Sequence, residues 1–227
     1  MLRQLITACL DLLVPPRRTE RRVHDLTLDD IHRMAHEDGL PYRDPMVRDL
    51  VWEIKYYGNG HAAKLAGEYL ADELLAIAAE ELGTPILIPM PMHPARRKSR
   101  GHNQTEALCE AALRALGQGE SARQKVLGPS LRGYPQTILP NTFASPFEYR
   151  KDVLERVVDT PHQQGLHRSK RLKNVEQSMI AHPELVEGRV CVVVDDVTTT
   201  GATLSEAKRA LLAAGARRVH CVALARS

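Results

Sequence analysis

Apolar residues recur at every third or fourth position along much of the chain and bunch into short unbroken runs elsewhere, which predicts helices alternating with buried strands. Leu2, Leu5, Ile6, Cys9, Leu12 and Leu13 mark an amphipathic helix that Pro15-Pro16 stops. A short helix is expected over Leu28 to His36, with Asp25 or Thr27 as its cap. Asp44-Pro45 opens another, with Met46, Val47, Leu50, Val51 and Ile54 on one side and an end near Tyr57-Gly58-Asn59-Gly60. His61 to Leu82 places Leu65, Ala66, Tyr69, Leu70, Leu74 and Ile77 along one side, and Gly83 stands where that helix should end.

Pro85 to Pro89 is too short for a helix and reads as a buried strand. Met90-Pro91-Met92-His93-Pro94 cannot be helical, and it leads through a basic cluster to Asn103, a cap followed three residues later by Glu106 and a helix to Leu116. Residues 129 to 150 hold four of the fourteen prolines and read as an irregular insertion. Val153 to Val158 suits a strand, and Ser169 to Ile180 is helical in pattern. The last third is plainest: strand Val190 to Val194, a loop, helix Thr203 to Ala214, then strand Val219 to Ala225. This is a βαβ unit whose strands are parallel.

Length and composition refine this picture. At 227 residues, 43% hydrophobic and 26% charged, the chain suits one globular domain with a modest appendage. Aromatics make up only 4%, so the core rests on aliphatic side chains, and single-stranded nucleic acid stacked on aromatic platforms is disfavoured. A net charge of +3 is too small to advertise nucleic-acid binding by the whole molecule, but charge concentrates at Arg96, Arg97, Lys98 and Arg100 and again at Arg168, Lys170, Arg171 and Lys173. Such runs are often solvated surface. Cys9, Cys109, Cys191 and Cys221 have no paired spacing, which argues against zinc and against a disulfide framework; a reducing cytoplasm is the expected setting. The first fourteen residues lack a cleavage site, and no run approaches a membrane span.

The candidate chemistry lies between the last two strands. In Asp195-Asp196-Val197-Thr198-Thr199-Thr200-Gly201-Ala202-Thr203 a strand hands over to a helix through small hydroxyl residues. A helix N-terminus offers unpaired N–H groups and the positive end of its dipole to a phosphate. The threonines add donors, and Gly201 lets backbone come close. Two adjacent carboxylates at a strand end repel unless they accept from a polyol or face a metal, and a ribose diol meets that need. A strand-end pair beside a capping turn is the bland alternative.

This run resembles the thirteen-residue signature of type I phosphoribosyltransferases, which bind 5-phosphoribosyl 1-pyrophosphate (PRPP) as its magnesium complex. Pro89-Met90-Pro91-Met92-His93-Pro94, Arg100-Gly101-His102-Asn103-Gln104, and Thr160, Gln163, Leu166, Arg171 and Asn174 are similar to the pattern of ComF-type competence proteins and their GntX-like relatives. The resemblance implies an α/β fold of the type I phosphoribosyltransferase kind: a mostly parallel sheet flanked by helices, over residues 44–227, with a helical extension at 1–43. It implies that Asp195 and Asp196 contact the ribose hydroxyls and, through PRPP, magnesium. Thr198, Thr199, Thr200, Gly201, Ala202 and Thr203 would take the 5-phosphate. Met90 and Pro91 would face pyrophosphate, with Arg100 and Arg171 as its leading cations. The paired N-terminal cysteines common in that family are absent, so no zinc is expected.

Purine-type members carry an acid two residues before the signature glycine, where this chain has Thr199, so a general base is not evident. Three functions follow: a phosphoribosyltransferase of unknown acceptor, a receptor for PRPP or a nucleotide acting through DNA-uptake or recombination proteins, and direct single-stranded DNA binding, the weakest. A homodimer is compatible with the family. Both acids are expected in a solvent-facing loop, so that replacing them with asparagine would spare the fold.

Overall fold

The computed structural model describes residues 18–37, 39–118, 145–158 and 177–227. The expected helix over residues 2–13, most of the 129–150 insertion and the whole second basic cluster, Arg171 included, lie outside them.

Two short helices come first, α1 (Arg18–His24) and α2 (Leu28–Met34). Thr27 caps α2 as expected: its hydroxyl accepts from the Asp30 N–H, and Asp30 returns the bond to the Thr27 N–H. Strand β1 (Leu40–Pro41) follows, then α3 (Pro45–Tyr57), which Asp44 caps by accepting from the N–H groups of Met46 and Val47. Gly58, at φ 58°, closes α3 in the left-handed conformation that glycine adopts at little cost. Helix α4 (Gly60–Glu80) is capped by Asn59. Strand β2 (Ile86–Pro89) leads to α5 (Pro94–Arg100) and α6 (Gln104–Gln118). The basic run 96–100 is therefore helical, because Pro94 sits at the first position of a helix that His93 caps.

Strands β3 (Glu148–Tyr149) and β4 (Leu154–Arg156) come next, then β5 (Met179–Ala181) and α7 (Pro183–Val186). The chain closes with β6 (Val190–Thr198), α8 (Ala202–Ala213) and β7 (Arg218–Arg226). One expectation fails here. Met179 and Ile180, placed by pattern at the end of a helix, belong to β5, which pairs antiparallel with β4. Main-chain bonds to β4 override a weak helical period in which only Met179 and not Ile180 is buried.

Among the described residues, the central sheet has five parallel strands in the order β1-β7-β6-β2-β3. Its two faces are separated by strand alternation. Leu87, Val192, Val194, Val222 and Leu224 pack towards α3, α4 and α6, in a core that also holds Val23, Ile31 and Leu40 from the N-terminal segment. Ile86, Ile88, Cys191, Val193 and Ala223 pack on the other side against Leu204, Ala207, Ala210 and Leu211 of α8. Helices α4 and α6 touch at Gly67, where a Cβ would come within 2.4 Å of the Ala111 Cβ.

Strand β6 runs four residues beyond its apolar stretch. Its partner β7 continues the ladder, with Asp195 opposite Ala223, Val197 opposite Ala225 and Thr198 opposite Arg226. Both acids thus stand in the strand and not in a loop.

Candidate functional site

A cleft of about 420 Å³ opens at the carboxyl ends of β2 and β6, where ligands collect in open parallel sheets. Met90, Pro91, Arg96, Arg100, Asp195, Asp196 and the whole run Thr198 to Thr203 line it, so the segments singled out in the sequence meet at one place. Gly201 holds φ 74° and precedes the first residue of α8; a Cβ built there meets nothing within 4 Å, and the turn is open to the cleft. The Thr200 hydroxyl accepts from the Ala202 N–H at 3.4 Å. On its other side the same threonine turn borders a second cavity, shared with His36 and Arg226.

The acids differ from expectation. Each is 7% exposed, at the floor of the cleft and not in solvent. Alternation directs Asp196 to the face of Val192 and Val194, where α3 and α6 pack, and there the Gln104 amide donates to its Oδ2 at 3.2 Å and Lys55 Nζ lies 3.5 Å from the same oxygen. The Val197 N–H donates to Asp196 Oδ1 at 2.8 Å. Asp195 begins on the opposite face, but its Oδ1 accepts from the Asp196 N–H at 2.9 Å. Replacing both by asparagine would leave Lys55 against an amide, so a cost in stability is expected beside any loss of binding.

Their electrostatics separate accordingly. Burial, then the negative charge of Asp196, raises the Asp195 carboxyl above its ordinary range. Burial also opposes ionisation of Asp196, but Lys55, the Val197 N–H and the Asp195 carboxyl together outweigh it and hold Asp196 below the usual value. Lys55 is raised in turn, chiefly by Asp196.

The first basic cluster divides. Arg96 and Arg100 line the cleft, whereas Arg97 forms a two-point pair with Glu106 on α6. That pair takes Glu106 from the capping role its spacing predicts. Asn103 caps α6 by accepting from the Thr105 N–H, and its amide donates to the Met90 carbonyl at 3.1 Å. Thr105 donates to the same carbonyl at 2.8 Å, so α6 is laced to the segment after β2.

Six lining residues escaped the sequence reading: Tyr42, Trp52, Lys55, Tyr56, Arg156 and Ser227. Trp52, Lys55 and Tyr56 stand at helical spacing on α3, beside its apolar stripe, and that second face was a usable signal. Trp52 donates to the Tyr42 hydroxyl at 3.2 Å, meets Tyr56 edge-on at 5.3 Å, and Arg100 lies over the Tyr56 ring at 5.4 Å.

Comparison with known proteins agrees with this architecture. The family model for the phosphoribosyl transferase domain matches residues 144–227. The chain is 26% identical over 187 residues to the DNA utilization protein YhgH of Salmonella typhi, spanning 81% of this chain and 68% of that protein. It is 28% identical over 144 residues to Competence protein F of Haemophilus influenzae, spanning 62% of this chain but only half, 50%, of that one. Among solved structures it is similar to an allosteric regulatory enzyme of purine biosynthesis, with a TM-score of 0.39, 18% identity, and coverage of 77% of this chain and 30% of that chain. It is also similar to a glutamic acid mutant at an invariant aspartic acid of HPRTs, with a TM-score of 0.34, 14% identity, and coverage of 76% and 67% respectively.

Residues 144–227 thus match a phosphoribosyl transferase domain, and the parallel sheet flanked by helices in which they lie has the architecture of the type I phosphoribosyltransferase fold. Within that class it is related to the competence protein F and YhgH proteins. Among the described residues, no helix is long and apolar enough to cross a membrane.

Proposed function

We propose that the cleft binds PRPP and that the protein transfers its phosphoribosyl group to an acceptor. The observation that carries this reading is the convergence of an open threonine turn at the start of α8 with an acidic floor and three arginines, Arg96, Arg100 and Arg156, around one cavity. The 5-phosphate would sit on the N–H groups of the first turn of α8 and the hydroxyls of Thr198 to Thr203. Asp195 and Asp196 would lie beneath the ribose hydroxyls. Arg100, with Arg96, would face the pyrophosphate beyond Met90 and Pro91 and offset the charge that gathers on it as it leaves. Arg171 would join them from outside the described residues.

Magnesium is implied by the resemblance, but the residues present do not suit direct coordination by the acid pair. Lys55 stands 3.5 Å from Asp196 Oδ2, and among the described residues no three His, Cys, Asp or Glu side chains cluster as a metal site. Any metal would enter on the donor's own phosphates.

Titration calorimetry with PRPP, with and without magnesium, tests the binding. Pyrophosphate release that depends on an added base tests the transfer. A second reading, a receptor for PRPP or a nucleotide that works through DNA-uptake proteins, is favoured by one observation. The only carboxylates lining the cleft are Asp195 and Asp196, both engaged with the protein, so no free general base faces it among the described residues. Binding without turnover would select it.

A further inference from the structure

The corner of the cleft around Asp196 contains an acceptor whose bonding is incomplete. A carboxylate offers about four acceptor positions. Those of Asp196 are met by the Val197 N–H, the Gln104 amide and Lys55, so protein groups already use most of its capacity. Gln104 is different. Its Nε2 is fixed by donation to Asp196 Oδ2, which sets the orientation of the amide, and its Oε1 is buried without any hydrogen-bond partner. The residue is 8% exposed, lines the cleft, and sits at the first position of α6, which Asn103 and Thr105 tie to Met90. A buried carbonyl held rigidly with both lone pairs unused is a place built for an incoming donor.

We infer that Gln104 Oε1 accepts a hydrogen bond from a secondary hydroxyl of the bound pentose phosphate, so that Gln104 reads the sugar and discriminates ribose from its deoxy forms. The inference rests on the donor reading above and deepens it. The acid pair is occupied by Lys55 and by its own members before the sugar arrives, and the unsatisfied acceptor beside it is neutral. A neutral carbonyl accepts from a hydroxyl without drawing a cation into the site, and losing that hydroxyl leaves the acceptor unpaired, the situation in which polar sites discriminate most strongly.

The test uses the full chain. PRPP is titrated first, then displaced by ribose 5-phosphate and by its 2-deoxy and 3-deoxy analogues. Wild-type protein is expected to bind at least one deoxy analogue about tenfold more weakly than ribose 5-phosphate. Gln104→Met, of similar shape without the acceptor, is expected to weaken all three sugars but to bring that ratio close to one. A merely structural role for Gln104 would lower every affinity and leave the ratio unchanged, and that result overturns the inference. Should Gln104→Met fail to fold, the wild-type ratio and Gln104→Glu decide: no deoxy penalty in wild type overturns it, and a penalty kept in the glutamate variant, which keeps an acceptor oxygen, supports it. If PRPP does not bind wild-type protein at all, the donor reading itself falls, an outcome distinct from binding without discrimination.

Discussion

Lys55 Nζ and Asp196 Oδ2 lie 3.5 Å apart across the join between α3 and β6, and this pair ties the N-terminal helices to the floor of the cleft. The Lys55 side chain is 25% exposed and that of Asp196 10%, so the pair is screened far less than a surface one.

Lys55→Met should therefore cost about 2–3 kcal/mol, because Asp196 keeps its charge with only the Gln104 amide and the Val197 N–H to meet it. Adding Asp196→Asn should recover much of the loss. The pair's contribution is present above the unfolded carboxylate pKa of about 3.9 and is lost as pH falls through the depressed folded value of Asp196. At the alkaline end it is lost as pH rises through the raised value of Lys55. Urea denaturation at several pH values checks this: the deficit of Lys55→Met should be flat across the neutral range, and a deficit confined to one side would rule the pair out as its cause.

Asp195 has the opposite sign. Its folded pKa is raised, by burial first and Asp196 second, so its contribution is whole below the unfolded value of about 3.9 and fades as pH rises through the folded one. Asp195→Asn should remove that fade and melt higher than wild type at pH 8, by about 2–4 °C for each kcal/mol relieved. It should do so while binding PRPP more weakly. Thermal melts across a pH series would contradict the account if the variant and wild type ran parallel.

Gly67→Ala is predicted to lower stability by about 1–3 kcal/mol, since the new Cβ would meet Ala111 Cβ at 2.4 Å and backbone atoms at 2.7 Å where α4 and α6 cross. Pairing it with Ala111→Gly should return part of the loss. Denaturant midpoints of the two single variants and the double one measure the coupling.

Arg100→Ala should weaken PRPP about tenfold or more while changing affinity for ribose 5-phosphate little, because the guanidinium is assigned to the pyrophosphate and not to the sugar. Equal losses for the two ligands, read by calorimetry, would remove that assignment. Arg97→Ala serves as the control, since Arg97 is engaged with Glu106.

The chain alone carried the βαβ unit around Val190 to Ala225, the caps at Thr27 and Asp44, the strand at Ile86 to Pro89, and the threonine turn as the place to look. Those features are local: a period, a cap or a glycine acts within one turn of its own position. The end of β6 was not local. Two acids and Thr198 interrupt the apolar run, and only pairing with β7 as far as Arg226 holds them in strand form and lowers both acids to the cleft floor. Ile180 likewise became strand by pairing with β4. Lys55 and Gln104 stand 141 and 92 residues from Asp196 in the chain, and nothing in a linear pattern joins them. Their meeting was decided by the stacking of α3 and α6 on one face of a parallel sheet, because strand alternation sends Asp196, and not Asp195, to that face.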